Sequence, residues 1–149
     1  MFLYEYKMER GIAMDSRVES YFEDIKGKKI AFLGIGGSNL PLAKIFRQKG
    51  AIVFACDKRE KEQLGKTGEE LEQMGITLKL GEHYLEQLDV DMMFRTPGMR
   101  FHTKELEQAR EKGIVVTSEM EVFFDLCPCP IYAVTGSDGK TTTTTIISE

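Results

Sequence analysis

With 149 residues, 42% of them hydrophobic and 30% charged, the chain can bury one good core, which excludes a large multidomain enzyme and leaves room for one complete domain and at most part of another. The net charge of -4, from 24 acids against 20 bases, supplies no general attraction for nucleic acid or anionic lipid. No apolar run approaches the roughly 18 residues of a membrane span, and Glu5, Lys7, Glu9 and Arg10 interrupt the apolar stretch of a secretory signal, so a soluble cytoplasmic protein is expected.

In chain order, residues Met1 to Lys26 are expected as a helical lead-in, helical around Val18, Tyr21, Phe22 and Ile25, whose three-to-four spacing can pack on a sheet. Short β-branched and apolar runs then alternate with longer periodic stretches. The strands are expected at Lys29 to Leu33, Ile52 to Cys56, Thr77 to Leu80, Met92 to Phe94, Val115 to Thr117 and Ile131 to Thr135. Between them, Leu40 to Gln48, Glu60 to Met74 and Lys104 to Lys112 read as crossover helices, each followed by a glycine at 50, 75 or 113 where a helix stops. This alternation predicts an α/β fold, a Rossmann-like parallel sheet with helices on both faces. The three cysteines, Cys56, Cys127 and Cys129, lack the spacing of a zinc knuckle and are expected as reduced thiols.

Two glycine-rich turns follow strands and precede helices. In the first, Gly34-Ile35-Gly36-Gly37-Ser38-Asn39, a helix start would aim free N–H groups at an anion, and the glycines let a phosphate approach the backbone. The dinucleotide fingerprint wants a third glycine where Asn39 stands. Asp57 lies where an acid could take a ribose, but Lys58 and Arg59 follow it and suit a phosphate better than a bare diol. The second turn, Thr135-Gly136-Ser137-Asp138-Gly139-Lys140-Thr141-Thr142, ends in the Gly-Lys-Thr of a phosphate loop. Its N–H groups can wrap a triphosphate, Lys140 can neutralise the β/γ oxygens, and the Thr141 hydroxyl can bind Mg²⁺. The leading glycine of the general motif is replaced by Val134. The five threonines from Thr141 to Thr145 suggest hydroxyls needed at a helix start.

Thr135 to Thr142 resembles the ATP loop of the Mur ligases, ATP-dependent enzymes that add amino acids to the cell-wall precursor. Asp138 stands where much of that family has asparagine. Arg95-Thr96-Pro97-Gly98 and Ser118-Glu119-Met120-Glu121-Val122-Phe123 are similar to segments of the branch that joins D-glutamate to UDP-N-acetylmuramoyl-L-alanine. Gly34-Ile35-Gly36-Gly37 also resembles the first turn of the branch that adds L-alanine to UDP-N-acetylmuramate. The resemblance implies that Gly36, Gly37, Ser38, Asp57, Lys58, Arg59, Thr96, Pro97 and Gly98 frame the UDP part of the substrate. Lys58 replaces a threonine of relatives, which would direct its contact to a phosphate. Ser137, Asp138, Gly139, Lys140, Thr141 and Thr142 would hold ATP, with Lys140 catalytic and Thr141 on Mg²⁺.

The implied organisation is a lead-in over 1–26, a UDP-substrate-binding domain over 27–126, and the start of a central ATPase domain over 127–149. On this reading the chain is a truncated piece without ligase activity of its own, and D-glutamate would bind only in the full-length parent. The strand at Ile131 to Thr135 would then lack its proper sheet and could join two copies. A fragment of the L-alanine-adding ligase and a nicotinamide-binding Rossmann module remain as alternatives. A P-loop phosphotransferase with a scaffold first half is another.

Overall fold

The computed structural model describes residues 16–148. Residues 16–24 form helix α1, and the part of the lead-in before residue 16 lies outside the described residues. Then follow β1 (Lys29–Leu33), α2 (Asn39–Gln48), β2 (Ile52–Asp57), α3 (Lys61–Leu64), α4 (Lys66–Gln73), β3 (Thr77–Leu80), β4 (Met92–Arg95), α5 (Lys104–Glu111), β5 (Val115–Thr117), α6 (Glu119–Leu126) and α7 (Lys140–Ser148). All four strand pairings are parallel, in the order β3-β2-β1-β4-β5. The expected fold class is therefore observed.

β1 is central because Ile30, Ala31, Phe32 and Leu33 are apolar on both sides of the pleat, as a strand covered on both faces requires. Ile30 and Phe32 enter one core with Val53, Ala55 and Phe94, beneath Phe46 of α2 and Leu71 of α4. Phe32 and Phe94 stack with centroids 4.8 Å apart, and Phe46 meets both edge-on at 5.3 and 5.1 Å. Tyr21 and Phe22 of α1 extend this aromatic cluster, and Ile25 just beyond the helix is buried, so the end of the lead-in belongs to the core. Ala31 and Leu33 face the other way, into a second core with Cys56, Met93 and Val90 under Leu106 and Ala109 of α5. Thr103 caps α5 by accepting from the Leu106 N–H, and Glu105, Glu107 and Arg110 match the helix dipole at the two ends.

Beyond one-residue shifts at the start of α2 and the end of α5, three features differ from expectation. The helix expected over Glu60 to Met74 divides into α3 and α4, because Gly65 at φ +52° and ψ -131° leaves the helical region. β2 and β4 each run one residue further, so that Asp57 pairs with Leu80 and Arg95 with Leu33 at the carboxyl ends of the strands. The strand expected at Ile131 to Thr135 does not form. That segment is irregular, with Tyr132 82% exposed, because a strand exists only where a neighbour supplies a ladder, and none of the described strands pairs with it. Pro128 and Pro130 further remove two donors just before it.

Candidate functional site

The chain leaves β1 toward β2 on one side of the sheet, whereas β4 lies on the other. At such a reversal of strand order the loops diverge and open a crevice at the carboxyl ends of the strands. Here the crevice has a volume of about 470 Å³. Of the residues predicted to frame a UDP ligand, Gly36, Asp57, Lys58, Arg59, Thr96 and Gly98 line it. Gly37 and Ser38 instead lead into α2, where Ser38 makes no side-chain cap, and Pro97 sits between two lining residues without lining the crevice itself.

Burial would raise the Asp57 carboxyl, but hydrogen bonds outweigh it: the side chain and backbone N–H of Arg59 and the backbone N–H of Ile35 hold it at about 2, against an ordinary 3.8. Oδ2 accepts from Ile35 N at 2.7 Å and Arg59 Nη2 at 2.7 Å, and Oδ1 accepts from Arg59 N at 3.0 Å and Nε at 2.9 Å. Arg59 Nη2 also donates to the Ile35 carbonyl at 2.7 Å. The pair thus fixes the first glycine turn to the end of β2. Both carboxylate oxygens are committed within the protein, which sets Asp57 apart from a ribose-binding acid. Lys58 is exposed and makes no hydrogen bond or ion pair among the described residues, so its ammonium is available to an anion.

Because the folded carboxyl lies below its unfolded value, its stabilisation is present above about pH 4 and is lost as pH falls through 2. Buried as Asp57 is, this amounts to about 2 kcal/mol. Urea melts of the wild-type chain and Asp57→Asn should therefore differ at pH 7 and converge toward pH 2. A constant difference would assign the effect to something other than ionisation.

The glycines of the crevice fall into two kinds. Gly34 has φ +87°, and a Cβ there would stand 3.0 Å from the Thr96 methyl, so the protein's own packing requires glycine. Gly34→Ala should cost about 1–3 kcal/mol, measured as a lowered urea midpoint. A Cβ on Gly36 or Gly98 would meet open space, as would one on Gly37 at the entry to α2, and none of the three has a positive φ. Among the described residues, neither conformation nor packing calls for glycine at those positions.

Asn39, which reads in the sequence as a broken fingerprint, is 1% exposed and is a structural clamp. Its Nδ2 donates to the carbonyls of Leu33 and Gly34 at 3.1 Å and of Phe94 at 3.3 Å, joining β1 to β4 below the crevice. Gly34 and Ile35 of the first glycine turn also line the crevice, as do Tyr84 and Met99, which were not singled out from the sequence. Tyr84 lies outside any motif, and its placement depends on an irregular β3–β4 connection. At the far side of β4, Arg95 Nη2 lies 3.4 Å from Glu121 Oε1, and Ser118 caps α6, which accounts for two polar positions of the Ser-Glu-Met-Glu segment.

In the second glycine turn, Gly139 at φ +74° turns the chain into α7, which begins at Lys140. Lys140 Nζ donates to the carbonyls of Gly136 and Ser137, which holds the ammonium over the loop. Ser137, Asp138, Gly139, Thr141 and Thr142 are exposed around it. Thr144 and Thr145 return their hydroxyls to the carbonyls of Lys140 and Thr141 at 2.8 and 2.9 Å, whereas those of Thr141 and Thr142 make no hydrogen bond among the described residues. The ammonium, the free hydroxyls and the N–H groups of a helix start fit a phosphate chain with its Mg²⁺. Thr141 alone could not hold the ion, and no cluster of three metal-binding side chains exists among the described residues.

Residues 28–118, spanning all five strands and the crevice, match the family described as Mur ligase MurD-like, N-terminal domain. The chain belongs to this Mur ligase family. It is 48% identical over 137 residues to the UDP-N-acetylmuramoylalanine–D-glutamate ligase of Clostridium botulinum strain Hall, and 50% identical over 135 residues to the ligase of that name from Acetivibrio thermocellus. These alignments cover 91% and 90% of the chain, which spans about 30% of the length of the relatives. Among solved structures, the murein peptide ligase of Psychrobacter arcticus superposes with a TM-score of 0.54 at 28% identity, covering 82% of this chain and 26% of that one. The UDP-N-acetylmuramate–alanine ligase of Thermotoga maritima gives 0.52 at 29%, covering 81% and 28%. The Mur ligase fold thus agrees in sequence and in architecture.

Proposed function

We propose that this chain supplies the UDP-substrate-binding crevice of a ligase that adds D-glutamate to UDP-N-acetylmuramoyl-L-alanine in cell-wall precursor synthesis. The observation that carries the reading is the pair Gly36 and Gly98, glycines of the crevice that nothing among the described residues requires, beside the available ammonium of Lys58. A ligand phosphate approaching the backbone explains both. The names of the relatives supply the amino acid. Asp57 and Arg59 act in this reading by holding the turn, with the remaining face of the guanidinium directed to the ligand.

The proposed reaction passes the γ-phosphoryl group of ATP to the carboxylate of the precursor, and the amine of D-glutamate then displaces phosphate from the acyl carbon. Amide, ADP and phosphate result. Such a transfer asks the protein mainly for positioning and charge neutralisation. Lys140 would neutralise the β/γ oxygens, Ser137, Asp138, Gly139, Thr141 and Thr142 would surround the phosphates, and Thr141 would help to hold a Mg²⁺ that, when bound, would supply further positive charge. In this proposal the substrate domain ends with Leu126, the last residue of α6, and the ATP-binding segment begins at Cys127. The lead-in is placed over 1–26, and the working compartment is the cytoplasm. No helix of the described residues is long and apolar enough to cross a membrane.

The test is phosphate release by a protein that joins this chain to the remaining length its relatives possess. Release should require both UDP-N-acetylmuramoyl-L-alanine and D-glutamate, and the 149-residue chain alone should show none. Release with UDP-N-acetylmuramate and L-alanine instead would transfer the chain to the other branch.

A further inference from the structure

The β3–β4 connection carries no helix. Residues 82–87 are turns, anchored where Gly81 N donates to the carbonyls of Asp57 at 3.0 Å and Arg59 at 3.3 Å. Tyr84 N donates to the Gly81 carbonyl at 3.2 Å, so the ring is tied within three residues to the strand end that carries Asp57 and Arg59. Tyr84 is half-buried: it packs on the second core and also lines the crevice with Met99. Its hydroxyl makes no hydrogen bond among the described residues. Burial, and then the carboxylates of Asp57 and Glu105, raise its pKa, so the phenol stays neutral.

The crevice therefore has two chemically different parts. Lys58 and the open glycine turns suit phosphate, whereas Tyr84 and Met99 offer apolar surface suited to a flat ring. Resting on the UDP-site reading above, we propose that Tyr84 is a specificity-determining residue whose ring forms the wall on which the base of the nucleoside diphosphate stacks. The phosphates then lie toward Gly36 and Lys58.

The experiment titrates UDP and inorganic pyrophosphate into the 149-residue chain carrying Lys140→Ala, which weakens the ATP loop as a competing phosphate site. Tyr84→Leu, which keeps apolar packing on the core, and Tyr84→Phe are then added, and thermal melts check that each folds. Tyr84→Leu should weaken UDP about tenfold or more, Tyr84→Phe should stay within about twofold of the tyrosine chain, and pyrophosphate should bind all three alike. Unchanged UDP affinity in Tyr84→Leu, or an equal loss in Tyr84→Phe, would overturn the stacking role and leave the UDP site standing. No UDP or pyrophosphate binding by the tyrosine chain would overturn the site and the role together.

Discussion

An Asn39→Asp variant is expected to lose about 3–5 kcal/mol of stability at neutral pH, a large part of what a domain of this size possesses. Nδ2 of Asn39 serves three carbonyls, those of Leu33, Gly34 and Phe94, with the residue 1% exposed. A carboxylate would set its negative charge against three acceptors, out of reach of water. The pH dependence distinguishes this from loss of shape. Burial among acceptors raises the folded pKa of the introduced carboxyl, so stability is retained below its unfolded value near 4 and lost as pH rises through the folded value. Urea melts at pH 5 and pH 7 should show the variant weakening with pH over a range where the wild type does not. Asn39→Leu, which removes the donor without adding charge, should cost less and show no such slope. A wild-type midpoint for Asn39→Asp at pH 7 would mean that the clamp contributes little.

Lys140→Ala should lower ATP-dependent turnover by about 10²–10³-fold in a protein joining this chain to the rest of its relatives' length, with the melting temperature unchanged. The ammonium bridges the carbonyls of Gly136 and Ser137 and is the cation placed over the loop. Lys140 is exposed, so its removal creates no cavity. Lys140→Arg should not restore the rate, because a planar fork cannot replace a compact charge over so small a turn. Steady-state phosphate release decides this. Turnover within a few-fold of wild type would remove Lys140 from the mechanism.

The central sheet was legible because Ile30 to Leu33 and Val53 to Cys56 are apolar runs too short for helices, each followed by a segment that closes on a glycine, Gly50 or Gly75. The break at Gly65 was not, since Leu64, Leu71 and Met74 keep a helical spacing across it and only the backbone angles reveal the turn. Ile131 to Thr135 has the composition of a strand, but a strand is a property of two chains side by side, and the partner is not encoded in the segment. Six crevice residues were legible from the motifs around Gly36, Asp57 and Thr96, because glycine turns and charge leave local marks. Asn39 and Tyr84 were not: the clamp needs carbonyls from two strands 61 positions apart in sequence to converge, as Leu33 and Phe94 do. Tyr84 reaches the crevice only because Gly81 is tied to the end of β2.

The reading turns on whether the crevice takes a UDP compound or a nicotinamide dinucleotide, and Asp57 bears on both. With its oxygens bound to Ile35 and Arg59, it is unavailable to the diol that a dinucleotide site would present. Isothermal titration of the 149-residue chain with UDP-N-acetylmuramoyl-L-alanine, UDP and NAD⁺ is the most direct test. The account predicts heat from the precursor and from UDP, and none from NAD⁺. Binding of NAD⁺ alone would contradict it and return the chain to a dinucleotide-binding role.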